Sequence, residues 1–174
     1  MSALVIYFSQ TGHTEKAAGI ICERAGIQRF RIYPKTPYPT RYDALEARAL
    51  KEAGDRLLPL LGNNEIDARR FAYIFLGFPI WYGMPAAPVM TFLNRFDWKG
   101  RTVFPFITFG GLYGRAFAEM EKILRTGGAA VKDELLLRFP YRKDLNDEEE
   151  ARIQLMIVQW IEGIKRRYGT NIRK

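Results

Sequence analysis

Three segments of this chain combine residue types that can do chemistry. Ser9-Gln10-Thr11-Gly12-His13-Thr14 places three hydroxyl side chains and a glycine within six positions. An apolar run, Ala3 to Phe8, precedes it, and a helical pattern from Thr14 to Arg24 follows. A helix start offers backbone N–H groups with no intrahelical partner and the positive end of the helix dipole. Hydroxyls add neutral donors, and a glycine lets the backbone approach a ligand closely. Together they suit a phosphate dianion. Hydrogen bonds to a charged group contribute about 1.5–3 kcal/mol each, so several can hold a phosphate without a lysine or arginine. A helix cap alone needs one such residue. The patterns G-x-x-x-x-G-K-[ST] and G-x-G-x-x-G are both absent, and the second strand runs into Tyr33-Pro34-Lys35 rather than an acid for a ribose hydroxyl. P-loop and Rossmann nucleotide sites are therefore disfavoured. No partner acid can be named for His13, which reads as a solvent-facing or backbone-contact residue rather than a catalytic base.

The second segment, Gly77-Phe78-Pro79-Ile80-Trp81-Tyr82-Gly83-Met84-Pro85, leaves an apolar run with two adjacent aromatics and a glycine. It either stacks a flat ring, where an aromatic pair adds about 0.5–1.5 kcal/mol beyond area burial, or simply covers the next helix. The third, Thr108-Phe109-Gly110-Gly111-Leu112-Tyr113-Gly114-Arg115, has three glycines in five residues. Such a backbone exposes N–H donors that the polar edge of a heterocycle needs.

The elements that carry these loops read as alternating strands and helices. Ala3–Phe8, Ala72–Phe78 and Thr102–Phe109 are apolar on both faces, as central strands of a parallel sheet are. Pro105 sits awkwardly in such a strand and suggests a bulge or a strand start. Ile27–Tyr33 and Val131–Phe139 are interrupted by charge and read as edges. Helical patterns fall at Thr14–Arg24, Tyr42–Leu58, Pro85–Phe96 and Arg115–Arg125. In the last helix, Ile153, Met156, Ile157, Trp160, Ile161, Ile164 and Tyr168 form one apolar face, and Asp147 with Glu150 reads as its capping box. Five βα units in one domain give a doubly wound α/β sheet. Ligands of such sheets bind beyond the carboxyl ends of the strands, which is where all three segments lie.

The first loop resembles the FMN-phosphate loop of flavodoxins, [ST]-x-T-G-x-T, at all four specified positions. Phe75 to Gly83 is similar to the LG-x-PIWWG signature of a flavodoxin-like subgroup, with Tyr82 in place of a tryptophan. Val103 to Gly111 is similar to its segment ending in TSGG, with Phe109 in place of the serine. The resemblance covers the chain in element order. It implies a short-chain flavodoxin-like fold with strand order 2-1-3-4-5, FMN as cofactor and electron transfer through oxidised, semiquinone and hydroquinone flavin. Ser9, Gln10, Thr11, Gly12, His13 and Thr14 would hold the phosphate. Pro79, Ile80, Trp81, Tyr82 and Gly83 would flank the ring, Gly83 allowing a neighbouring carbonyl to turn. The backbone of Thr108, Phe109, Gly110, Gly111, Tyr113 and Gly114 would meet its polar edge, with the Tyr113 ring as another candidate to flank the flavin. Two other readings stand beside it: an FMN-dependent NAD(P)H:quinone-type reductase with an aromatic rim of Tyr38, Trp81, Tyr82 and Tyr113, and a basic interaction module without flavin.

Composition bounds these readings. The 174 residues are 48% hydrophobic and 26% charged, ordinary for a globular domain. One cysteine and one histidine exclude a disulfide framework and multi-cysteine or histidine-rich metal sites. No apolar run reaches the ~18 residues of a membrane span, and Met1-Ser2-Ala3-Leu4 lacks the basic start of a secretory leader, so a cytoplasmic setting is expected. Cys22 falls on an apolar helical stretch and reads as packing. Net charge is +8, of which Lys165 to Lys174 supply +5, a pattern of a solvated helix end more than of a nucleic-acid surface. Familiar flavodoxins are acidic, so a redox partner of this basic chain is expected to present an acidic contact face.

Overall fold

The apolar runs become the middle of a parallel sheet. A computed structural model describes residues 2–62, 66–67, 70–140 and 145–169. In chain order the elements are β1 (Ser2–Tyr7), α1 (His13–Ala25), β2 (Gln28–Arg31), α2 (Tyr42–Asp55), β3 (Phe71–Trp81), β4 (Met84–Pro85), α3 (Ala87–Arg95), β5 (Thr102–Phe109), α4 (Ala116–Thr126), β6 (Ala130–Val131), β7 (Leu135–Arg138) and α5 (Asp147–Tyr168). The sheet order is β2-β1-β3-β5-β6, with β7 also on β5 and β4 folded back on β3. Counting β6 and β7 as one broken fifth strand, this is the expected 2-1-3-4-5 order.

Successive side chains of a strand face opposite ways, so each central strand feeds two cores. Leu4, Ile6, Ile74, Leu76, Val103 and Ile107 pack with Val89 and Leu93 of α3 and Met120 and Leu124 of α4. Val5, Tyr7, Phe75, Phe104 and Phe106 pack with Ala18 and Ile21 of α1 and Ile157, Ile161 and Ile164 of α5. Gly77 lies opposite Phe106. A Cβ there would sit 2.1 Å from the Phe106 ring, so the glycine makes room for that phenyl group. Cys22 packs partly buried against the second core, and burial pushes its thiol up to about 11.

Several expectations are corrected in detail. The fifth strand is split: β6 pairs with Thr102 and Val103, and β7 with Phe106 to Phe109. The carbonyls of Arg101, Val103 and Phe109 accept from Ala130, Lys132 and Phe139 at 2.8, 2.9 and 2.8 Å, so odd-numbered residues of β5 face this edge. Pro105 therefore turns its missing N–H toward the gap between β6 and β7, and sits mid-strand without a bulge. Pro85 belongs to β4 rather than a helix, and α2 stops at Asp55, where Arg56 turns left-handed at φ 53°. The α5 capping box is one residue earlier than expected. Asn146 accepts from the Glu149 amide at 2.8 Å, and Glu149 accepts from the Asn146 amide at 3.0 Å. Among the described residues, no helix is long and apolar enough to cross a membrane. Residues 170–174, part of the basic C-terminal stretch, lie outside the described residues.

Candidate functional site

Because β1, β3 and β5 are neighbours, the loops leaving them meet at one end of the sheet. In the first, Gly12 caps α1 in the left-handed region (φ 93°), and its N–H donates to Ser9 Oγ at 3.2 Å. The first helical bond runs from Lys16 N–H to the Gly12 carbonyl at 2.9 Å. The N–H groups of Thr14 and Glu15 lie ahead of it, beyond reach of any carbonyl of the helix. A Cβ at Gly12 would meet nothing within 4 Å, so the loop is open on that side. This suits the oxygens of an anion. The three hydroxyls, all expected to face the phosphate, are not equivalent. Thr11 is exposed and Gln10 and His13 are partly exposed, whereas Ser9 and Thr14 are buried at 2% and 1%. The Thr14 hydroxyl meets Thr108 Oγ1 at 2.8 Å and joins the first loop to the end of β5. The His13 ring stacks on Phe139 at 4.3 Å.

The second loop is a tight hairpin. Ile80 pairs with Pro85 and Trp81 with Met84, leaving Tyr82 and Gly83 as the two-residue turn. Both have positive φ, 50° and 75°, as a type I′ turn requires. The Pro79 carbonyl accepts from Ala86 N–H at 3.1 Å and closes the base of the hairpin. The two aromatics diverge. Trp81 turns inward, edge-on to Phe8 at 5.5 Å and to Tyr38 at 5.0 Å. Its remaining surface lines a groove with Leu57, Leu58, Met84 and Met90. Tyr82 stands outward, 47% exposed, its hydroxyl donating to the Glu46 carbonyl at 3.3 Å. They do not form a parallel pair.

The third loop holds Gly110, Gly111 and Gly114 outside regular structure, with Leu112 89% exposed at its tip. Tyr113 packs edge-on to Phe109 at 5.8 Å, and burial, with the nearby charge of Glu134, pushes its phenol up to about 12. Arg115 N–H donates to the Gly83 carbonyl at 2.8 Å. At Gly114 (φ 61°) a Cβ would lie 2.3 Å from Gly83 Cα, so the second and third loops touch backbone to backbone.

Two features escaped the sequence reading. Tyr38, expected on an aromatic rim, is 5% exposed: its hydroxyl donates to Glu52, and Arg48 binds the same carboxylate at 2.9 Å with its guanidinium over the Tyr38 ring. Burial and the Glu52 carboxylate push that phenol well above its ordinary value. Arg31 also reaches the first loop, donating to the Ser9 carbonyl at 2.8 Å. The signal was available: in strand order 2-1, the last residue of β2 must lie beside the end of β1.

The flavodoxin family model matches residues 2–145. This chain belongs to the flavodoxin family. Among solved structures, this flavodoxin is 26% identical to a candidate flavoprotein from Bacteroides uniformis, covering 92% of this chain and 97% of that one with a TM-score of 0.75. It is 28% identical to another from Bacteroides eggerthii, covering 94% and 97% with a TM-score of 0.72. A flavoprotein from Lactobacillus acidophilus, solved in complex with FMN, shares the fold at 21% identity and a TM-score of 0.66, covering 87% and 97%. No curated protein matches this flavodoxin.

Proposed function

We propose that this flavodoxin binds FMN and carries electrons. The observation that carries the reading is the junction of three loops at one end of the sheet, tied by the Thr14–Thr108 and Arg115–Gly83 hydrogen bonds. The open start of α1 takes the phosphate. Its donors are the N–H groups of that first turn and the Thr11 hydroxyl, with Gln10 and His13 at the margin. Gly12 keeps the approach clear, while Ser9 and Thr14 brace the turn. Pro79, Ile80, Trp81, Tyr82 and Gly83 form one wall of the ring site: Tyr82 offers its exposed phenol, and Trp81 packs behind the turn. Thr108, Phe109, Gly110, Gly111, Tyr113 and Gly114 form the other wall and supply backbone donors. FMN supplies the redox chemistry when bound; the chain binds and orients it and limits its contact with water. The Gly83 carbonyl is already held by Arg115, so a carbonyl that turns toward the ring belongs to the Tyr82–Gly83 peptide. With a net charge of +8, the electron partner presents an acidic contact face.

Titration with FMN and with riboflavin, followed by flavin fluorescence, tests the reading. FMN should bind at least tenfold more tightly than riboflavin, since several bonds at about 1.5–3 kcal/mol each depend on the phosphate. Equal affinities, or no binding, would refute it. The loaded protein should keep its visible absorbance in NADPH alone and lose it when a flavodoxin reductase is added. Bleaching by NADPH alone would instead establish a reductase.

A further inference from the structure

We propose that Arg31 determines specificity for the phosphorylated flavin, an inference that rests on the FMN reading above. Arg31 is the last residue of β2 and pairs in register with Tyr7 at the end of β1. Its Nη2 donates to the Ser9 carbonyl at 2.8 Å and its Nη1 to Glu15 Oε2 at 2.8 Å. The Tyr7 hydroxyl donates to the other oxygen of Glu15 at 3.1 Å, and the guanidinium lies 5.1 Å over the Tyr33 ring. The Arg31 and Glu15 side chains are 29% and 36% exposed, so water screens the pair only in part.

Two consequences follow for an anion at the start of α1. A trans peptide points its C=O and N–H in opposite directions. Holding the Ser9 carbonyl toward β2 therefore turns the Gln10 N–H away from β2 and fixes the entry to the loop. The second consequence is electrostatic. Glu15 stands in the first turn of α1, where its charge repels a phosphate dianion at the same helix end. Arg31 cancels that charge. The cradle is thus not free of cations: strand order delivers one from behind.

Opposite charge changes should have opposite effects, whereas loss of a purely structural pair should not. Dissociation constants for FMN and riboflavin are measured for the wild type, Arg31→Met, Arg31→Lys and Glu15→Gln, with melting temperatures, at low and at high salt. Arg31→Met should cut the preference for FMN over riboflavin roughly tenfold and leave riboflavin binding unchanged. Arg31→Lys should restore most of the preference. Glu15→Gln, which leaves Arg31 on the Ser9 carbonyl, should raise the preference several-fold, and high salt should shrink all three differences. An unaltered preference in Arg31→Met, or a preference that falls in Glu15→Gln as well, would overturn this role alone. A wild type without preference for FMN would overturn the phosphate assignment and this role with it. If Arg31→Met does not fold, the Glu15→Gln and Arg31→Lys comparisons still decide.

Discussion

Gly114→Ala tests whether the β3 turn and the β5 loop form one clamp. An alanine Cβ would lie 2.3 Å from Gly83 Cα, 2.7 Å from its oxygen and 2.9 Å from its carbonyl carbon. These are backbone atoms, so no side chain can swing away. The left-handed φ of 61° alone costs a non-glycine residue about 1–2 kcal/mol. Relieving the overlap parts the loops and loses the 2.8 Å bond from Arg115 to Gly83, about 1 kcal/mol more. The sum, about 2–3 kcal/mol, corresponds to a fall of roughly 5–10 °C in Tm for a chain of this size. Two other glycines separate the contributions. Gly12 is left-handed at 93° with nothing within 4 Å, so its alanine variant should lose only about 1–2 kcal/mol. Gly111 has neither a left-handed φ nor a neighbour within 4 Å, and its alanine variant should melt like the wild type. Calorimetry of the three variants should rank them 114, 12, 111. Flavin titration should show FMN and riboflavin weakened alike in Gly114→Ala, because both share the ring. Should Gly114→Ala melt no lower than Gly111→Ala, the clamp is refuted.

Asn146→Ala removes a reciprocal cap and should cost about 1 kcal/mol in urea unfolding, while Asp147→Ala costs less; the reverse ranking would restore the cap to Asp147. Burial, the bond to Glu15 and that carboxylate's charge raise Tyr7 from the ordinary phenol value of 10.0 to about 12. Below the unfolded value its contribution is complete. Between the two values the unfolded chain holds fewer protons, so stability falls as pH rises from about 10 to about 12. Tyr7→Phe should flatten that alkaline decline by about 2 kcal/mol, read from urea melts at several pH values; an unchanged decline would place its origin elsewhere.

How far the residues announce the structure depends on whether the cause is local. The run of hydroxyls around Gly12 identified the first loop, because a helix start creates its donors whatever surrounds it. That Thr14 is buried against the end of β5 did not follow, since its partner Thr108 lies 94 residues away in the chain. Trp81 and Tyr82 read as a pair because they are adjacent, yet a two-residue turn sends them to different environments. The glycines of the third loop read as a backbone that permits close approach, and Gly114 makes one. What Gly114 approaches is the backbone of Gly83, a contact set by the β3–β5 neighbourhood. The split of the fifth strand had a sign in the wrong place: Pro105, in the neighbouring strand, lacks the donor that an unbroken ladder would use.

The broken border of the sheet bears on how such a molecule behaves when crowded. At that border the unmatched ladder is interrupted at Lys132-Asp133-Glu134, with Asp133 in the left-handed region at φ 49°. The opposite border is four residues long and carries Arg29 and Arg31. A stray extended segment from another molecule finds no long flat template on either side, only short stretches beside charged residues. The short outermost strands of this chain leave little free ladder for a second molecule to extend.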